Sequence, residues 1–449
     1  MSVSLPGPGS LPAQVRLAVS LLRDPAGTLL ALHRHDGPVV AFGYGPFRYV
    51  ALFGPYANRY LLAEHPENFR WREALASLIV VDGDTALVVS DGDDHRRRRR
   101  LVQPAFSTRR IQGHLDVMVA EADRELDRWQ PGEVVDAFSS LRRAIRRIAV
   151  RTLFGDSLGE RADELGDALT AAIAFVNRPI SLQVRVDLPG TAWHRAKAAR
   201  DRADGIVNAE IARRRTTEPC DADLLYHLLG ATDDGGGPAL DDVEVRDQVV
   251  SLIAAGYDTT SAAAGWVVHE LLVNGEWDRA AAEVSTVVGD DPLTVDHLRQ
   301  LVHLDAVINE TLRLWPPGFV SARKAVDDFE LAGHSIPGGS MVLYSPYVTH
   351  RSPDVWPDPD RFRPERWTDA EPDPYAFVPF GGGYRRCIGF AVATQELRAL
   401  LVQLLRRTRL TALRRKVRPT GYAALRPAGG VPVRVGDVRA VGSAPLVPS

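Results

Sequence analysis

Near the C-terminal end, residues 377–390 read Phe-Val-Pro-Phe-Gly-Gly-Gly-Tyr-Arg-Arg-Cys-Ile-Gly-Phe. Three glycines, an arginine pair and Cys387 stand directly ahead of a helical pattern over 391–407. Glycine lets a backbone turn sharply and approach a flat ligand, because no Cβ intervenes. A cysteine at a helix start meets amide dipoles that favour its thiolate, the form that binds a metal. The same residues admit blander readings: a lone cysteine is commonly a small buried hydrophobe, and glycines ahead of a helix can cradle phosphate. A phosphate loop wants Lys and Ser/Thr just after its glycines, and Tyr384, Arg385, Arg386 and Cys387 supply neither. Metal ligand and buried thiol both stand at this point.

Three other clusters carry chemistry. Five consecutive arginines run from Arg96 to Arg100, and for most of them a solvated basic face is the reading. On a helix, however, His95 and Arg99 stand at i and i+4, share one face and can grip a carboxylate. Ala254-Ala255-Gly256-Tyr257-Asp258-Thr259 sits inside a long apolar pattern. A glycine in a helix interior costs about 1 kcal/mol relative to Ala, and Asp and Thr side chains compete for backbone bonds, so a bulge or groove is expected there. Glu310 and Arg313 are i, i+3 neighbours on a helix that stops at Trp315-Pro316-Pro317. Arg323 follows the apolar Gly318-Phe319-Val320.

The elements that must position these residues are mostly helical. Amphipathic patterns cover 115–129, 141–154 and 161–176. A capping box, Asp241 with Glu244, opens a helix over 243–273, roughly 45 Å long at 1.5 Å per residue. Another spans 302–314. Short strands with Gly-Pro turn signals are expected near 39–60 and 329–347. Between them lie a long loop at 71–87, a Pro-broken apolar stretch at 170–186 that reads as a lid or a corner, and a flexible turn at 233–238. The fold class is therefore mainly α with small β-sheets (α+β). No low-complexity linker divides the 449 residues, so one domain over 1–449 is expected, with 1–20 and 440–449 as flexible tails. The formal net charge of −3 argues against nucleic acid as a partner. Two distant cysteines, Cys220 and Cys387, make no disulfide framework and suit a reducing cytoplasm. The apolar run 17–22 is far shorter than the roughly 20 residues of a membrane span, so no membrane anchor is expected.

Four motifs in order now resemble those of one family, the cytochrome P-450 superfamily of heme-thiolate monooxygenases. Phe380, Gly383, Arg385, Cys387 and Gly389 fit Phe-x-x-Gly-x-Arg-x-Cys-x-Gly; the other three are Ala255-Gly256-Tyr257-Asp258-Thr259-Thr260, Glu310-x-x-Arg313 and Pro364-Glu365-Arg366-Trp367. The resemblance covers about 37–435. It implies heme b (iron protoporphyrin IX) with Cys387 as axial thiolate and Phe380 and Gly389 beside it. It further implies His95, Arg99, Arg323 and Arg385 as partners of the heme propionates, and Glu310, Arg313 and Arg366 as a buried structural ion-pair triad. Asp258 and Thr259 match the acid-alcohol pair that delivers protons at the oxygen site. Trp367 departs from the Phe frequent at that place, and His95 from the Trp of many membrane-bound members.

The implied activity is hydroxylation or epoxidation of a hydrophobic small molecule (terpenoid, steroid, fatty acid or polyketide) with O2. Electrons would come from a separate ferredoxin and ferredoxin reductase in the cytoplasm, serving a monomer of secondary metabolism. Arg385, Arg386 and the 96–100 run are candidates for a basic docking face, with Arg97 and Arg98 as its test positions. Candidate pocket walls are Leu75, Leu78, Phe175, Ile253, Ala254, Ala255, Phe319 and Val320. Two alternatives remain: a peroxide-driven hydroxylase, and a non-catalytic heme-thiolate binding or gas-sensing protein.

Overall fold

The computed structural model describes residues 5–45, 48–158, 161–179, 182–216, 223–232, 240–369 and 371–438. Cys220, Ile180, the glycine-rich turn 233–238 and the tail 440–449 lie outside them.

Everything is arranged about the helix Asp242–Val273. Its start is fixed as the sequence requires: Asp241 accepts from the Glu244 amide at 2.8 Å, and Glu244 accepts from the Asp241 amide. Most of its circumference is buried, which is why its apolar residues occur on all sides. It packs on Ala137–Phe154, Val302–Leu314 and Phe390–Arg407. Trp266 stacks on Trp315 with centroids 4.3 Å apart, and its indole donates to the Leu425 carbonyl at 2.9 Å. The helix stays regular through Gly256. The distortion expected there is a groove, not a bulge: no heavy atom lies within 4 Å of where a Cβ would stand.

A five-stranded sheet forms one side of the molecule, in the order Val39–Phe42, Tyr49–Leu52, Met341–Tyr344, Ser321–Ala325, Phe69–Arg70. Strands distant in sequence thus meet, and Arg323 is carried into the interior between Val342 and Trp71. A three-stranded sheet joins Val134–Asp136, Pro432–Val438 and Thr408–Ala412.

Several elements differ from expectation. Residues 11–23, placed in a flexible tail by sequence, form a helix whose Leu17 and Leu21 pack on the apolar cluster around Leu29 and Phe319. The loop at 71–87 carries short helical turns at Ala76–Leu78 and Ile79–Asp82, as expected of it. In the Pro-broken stretch Phe175 is buried against Trp193, whereas Leu182 is exposed. The long helix Ala192–Thr216 has no clear sequence signature.

Candidate active site

The Cys387 loop and the groove of the Asp242–Val273 helix face each other across a cavity of about 420 Å³. The loop is closed by the Cys387 amide donating to the Phe380 carbonyl at 2.9 Å. Gly383 is obligatory: its φ is +61°, and a Cβ would stand 1.8 Å from the Leu62 carbonyl oxygen. The close approach is therefore to a π-helical turn, Tyr60–Glu64, rather than to a flat ligand. Burial pushes the Cys387 thiol above its usual range, while the Gly389 and Phe390 amides and the Arg99 and Arg386 guanidiniums pull the other way. Phe380 lines the cavity and meets Phe390 edge-on at 5.2 Å.

One edge of the cavity gathers the four expected cationic or donor groups. His95 and Arg99 come from the helix Gly92–Val102, Arg323 from its strand and Arg385 from the cysteine loop. Arg99 donates to the Arg386 carbonyl at 2.8 Å. Arg385 donates to the Ser90 carbonyl and to Asp91. Arg323 lies 3.2 Å over the Trp71 ring, with Arg385 4.8 Å from the same ring. Burial and the neighbouring Arg385 work to lower the Arg323 pKa, which falls to about 10. Burial, then Arg385, Arg99 and Arg96, drive His95 down to about 3, so its ring is neutral at physiological pH. His95 Nδ1 and Arg385 Nε are both buried without a hydrogen-bond partner.

Behind the cysteine loop, by contrast, the central carboxylate of Glu310 is engaged on both oxygens. Glu310 receives both Arg313 Nε and Nη2 at 2.9 Å, Arg366 Nε at 3.0 Å and the Arg363 amide at 2.8 Å. Trp367 adds its indole N–H at 3.0 Å, a donor that phenylalanine at this place would lack. Arg313 also reaches the carbonyls of His350 and Pro359, both at 2.7 Å. His350 ties this network to the loop: Nε2 accepts from the Val378 amide at 2.9 Å, so the proton sits on Nδ1, which donates to the Arg313 carbonyl at 3.1 Å. Its pKa is lowered to about 3, by burial and then by Arg313.

Across the cavity, Asp258 and Thr259 point different ways. Thr259 lines the cavity and donates to the Ala255 carbonyl at 2.8 Å. Asp258 turns outward to Arg142 at 3.3 Å, Asn177 at 3.2 Å and Arg426 at 3.9 Å. Consecutive helical residues differ by about 100°, so the pair spans from cavity to partly exposed arginines.

The Cytochrome P450 family model matches residues 8–426. The putative cytochrome P450 139 of Mycobacterium tuberculosis is 42% identical over 427 residues, covering 92% of this chain and 98% of that protein. The cyclooctat-9-en-7-ol 5-monooxygenase of Streptomyces melanosporofaciens is 32% identical, covering 90% and 88%. Among solved structures, the retinoic acid-bound cyanobacterial CYP120A1 superposes with a TM-score of 0.87 at 26% identity, over 98% of this chain and 100% of that one. The chain belongs to the cytochrome P450 family. It is accordingly a heme-containing monooxygenase with the mainly α P450 fold.

The P450 site fits heme on its own evidence. The two unpartnered buried donors face the edge where carboxylates would lie, and the open space at Gly256 allows a flat ring between helix and loop. Among the described residues no group of three His, Cys, Asp or Glu is placed to hold a metal.

Two sets of sequence expectations need correction. Of the eight proposed P450 pocket walls, only Ala255 and Val320 line the cavity. Ile253 belongs to the core beneath the helix, and Phe319 to the cluster beside the N-terminal helices. Leu78, Phe175 and Ala254 pack with Val81, and Leu75 is off the cavity. The helix face is instead Leu252, Gly256, Thr260 and Ala263, a spacing of three or four that periodicity could have found. Arg97 and Arg98 do not belong to a free docking face: both bind Glu244, with Arg98 Nε at 3.0 Å and its Nη1 on Ser90. Arg96, Arg100 and Arg386 are the exposed members. Sequence reasoning also passed over Trp71, Leu87, Val88 and Glu396, all on the cavity. Glu396 is buried, with one oxygen unpartnered, and burial raises its pKa to about 8.

Proposed function

We propose that this P450 oxidises a terpenoid-like hydrocarbon skeleton, inserting oxygen at an unactivated carbon, with electrons from a ferredoxin and its reductase in the cytoplasm. The observation that carries this reading is the apolar wall opposite Cys387. Leu87, Val88, Leu252, Ala255, Ala263 and Val320 face the cavity there, with Thr259 and Thr260 among them. Such a wall rewards burial of hydrocarbon at about 25 cal/mol per Å², and few groups are placed to fix a polar substrate. The Streptomyces relative, a monooxygenase acting on cyclooctat-9-en-7-ol, supports the same class.

In this reading Cys387 holds heme through its thiolate, and His95, Arg99, Arg323 and Arg385 hold the two propionates. Heme, when bound, supplies the activation of O2. The chain supplies the rest. The apolar wall orients substrate and excludes water. Thr259 Oγ1 can release the Ala255 carbonyl and present its hydroxyl proton to the cavity. Asp258, next in the chain but facing Arg142 and Arg426, returns that proton from the surface side as a general acid. Glu310, Arg313, Arg366 and Trp367 keep the cysteine loop in place.

The test combines spectra with turnover. Cyclic diterpene alcohols should displace water and shift the spin state, and the ferrous-CO complex should show the band of thiolate ligation. Cys387→Ser should abolish that band and lower turnover by more than about 10³-fold, the scale for losing a principal catalytic group. Turnover with hydrogen peroxide alone, equal to that with reductase and ferredoxin, would favour the peroxide-driven alternative.

A further inference from the structure

We infer that Trp71 is a positioning residue for heme: the face of its ring holds the Arg323 and Arg385 guanidiniums together at the cavity edge, ready for the propionates. The inference rests on the assignment of those two arginines to the propionates under the proposed function. The sheet brings the ring to them. Phe69 and Arg70 pair with Ala325 and Lys324 in antiparallel register, so the next residue, Trp71, comes level with Arg323. Its backbone is clamped by Asp91, which accepts from the Trp71 amide at 2.9 Å and from the Arg72 amide at 3.0 Å. The same carboxylate takes Arg385 Nη2 at 2.9 Å, and so ties the ring to one of the guanidiniums it serves.

Electrostatics give the ring its task. Arg323 is buried, and its hydrogen bonds go to the Ser321 hydroxyl, the Ala322 carbonyl and the Tyr344 hydroxyl rather than to a carboxylate. Burial and then the like charge of Arg385 both weigh against its cation. Arg385 in turn has its Nε buried without a hydrogen-bond partner. A buried charge with no bonded counter-ion is costly, and a second one beside it adds repulsion. An aromatic face answers both without using up donors: the ring quadrupole attracts the flat guanidinium, whose N–H groups lie in its own plane and stay free for a carboxylate. The Arg323 and Arg385 guanidinium carbons lie 3.2 and 4.8 Å from the Trp71 ring centroid. Tyr344 and Tyr384 stand farther off, at 5.3 and 5.5 Å, and each meets one of the two arginines. Trp71 is the ring they share, and it lines the cavity with them. An acid in its place would compete with the propionates for the same donors, and an aliphatic side chain would leave the two charges to separate.

The heme-loaded full chain is mixed with an excess of an apoprotein heme acceptor, and heme transfer is followed for wild type, Trp71→Leu, Trp71→Phe and Arg323→Leu. Trp71→Leu should release heme about tenfold faster, the scale of one desolvated cation–π contact. Trp71→Phe keeps a ring face and loses the indole N–H, and should stay within about threefold of wild type. The reduction potential of the heme-loaded protein should fall in Trp71→Leu and hold in Trp71→Phe, because guanidiniums that leave the edge take away positive charge that favours the reduced state. If Trp71→Leu does not load heme, Trp71→Met, also unbranched at Cβ and without a ring, takes its place in both measurements. A ring that only filled space would leave the potential unchanged in every variant, and that result overturns the inference. So does a loss in Trp71→Phe equal to that in Trp71→Leu, which would move the role to the indole N–H. Arg323→Leu separates this inference from the reading beneath it. Faster release from Arg323→Leu with none from Trp71→Leu overturns the role of Trp71 alone, whereas unchanged release from both overturns the propionate assignment as well.

Discussion

The two charged regions around the cysteine loop are built on opposite principles. Behind the loop, one carboxylate, Glu310, is met by two guanidiniums, an indole N–H and a backbone amide. At the cavity edge, His95, Arg99, Arg323 and Arg385 converge, Asp91 accepts from Arg385, and two of their buried side-chain nitrogens have no hydrogen-bond partner. In the first region the chain itself supplies the counter-charge, although Arg366 Nη2 is left without a hydrogen-bond partner, and the network stabilises the fold. The second carries unpaired polarity that a dianionic ligand would relieve, so under the proposed function its cost to the free chain becomes affinity for the bound group.

Breaking the self-sufficient region should have the larger effect. Glu310→Gln leaves Arg313 and Arg366 buried with no counter-charge, at a cost of about 3–5 kcal/mol. Denaturant unfolding of the heme-loaded protein would measure it. A loss below about 1 kcal/mol would mean that the backbone carbonyls around Arg313 suffice, and that the two regions differ less than their geometry indicates.

A pH test sharpens the same contrast. His350 stays neutral in the fold, with a pKa lowered to about 3 from the ordinary 6.5. A group depressed in this way contributes its full stability above pH 6.5 and loses it as pH falls toward 3. His350→Gln can keep both hydrogen bonds, Oε1 accepting from Val378 and the amide donating to Arg313, while removing the titration. The variant's stability should therefore fall less steeply than wild type by up to about 1.4 kcal/mol per pH unit in that window. His95 titrates with the same sign in both proteins and cancels in the difference. Equal slopes would show that His350 is not the group taking up the proton.

How much of this was legible in the sequence depended on whether the signal was local. The Asp241–Glu244 cap and the Glu310–Arg313 pair are each three positions apart and the cysteine loop closes between Phe380 and Cys387, seven apart, and the structure forms each of these local contacts. The partner of Arg97 and Arg98 was hidden because Glu244 lies about 147 residues away, so two members of a charge run are held by one carboxylate while Arg96 and Arg100 stay exposed. The helix Ala192–Thr216 was invisible for another reason. Its buried face begins with Ala196, Ala199, Arg200 and Ala203, and its larger apolar residues, Ile206, Val207 and Ile211, come only in the second half with Glu210 among them, so small and charged residues blur the apolar period. The pocket was misread at Ile253 and Ala254 because neighbours in a run were taken together, although a helix turns them away from Ala255 and Thr259.

The smallest effect isolates the cavity edge. His95→Leu removes a buried ring whose Nδ1 has no partner, so the heme-free chain loses no protein hydrogen bond at that atom. Its unfolding midpoint should hold or rise slightly, because an apolar group packed on Tyr384 replaces a ring with an unpartnered buried nitrogen and carries no desolvation cost of its own. The heme-loaded protein should behave in the opposite sense. One lost hydrogen bond to a carboxylate is worth about 1.5 kcal/mol, which is about a tenfold faster transfer of heme to an apoprotein acceptor. A residue that merely supported the fold would lower both quantities together, so opposite signs in the two measurements distinguish a ligand-completed edge from the self-completed network behind the loop.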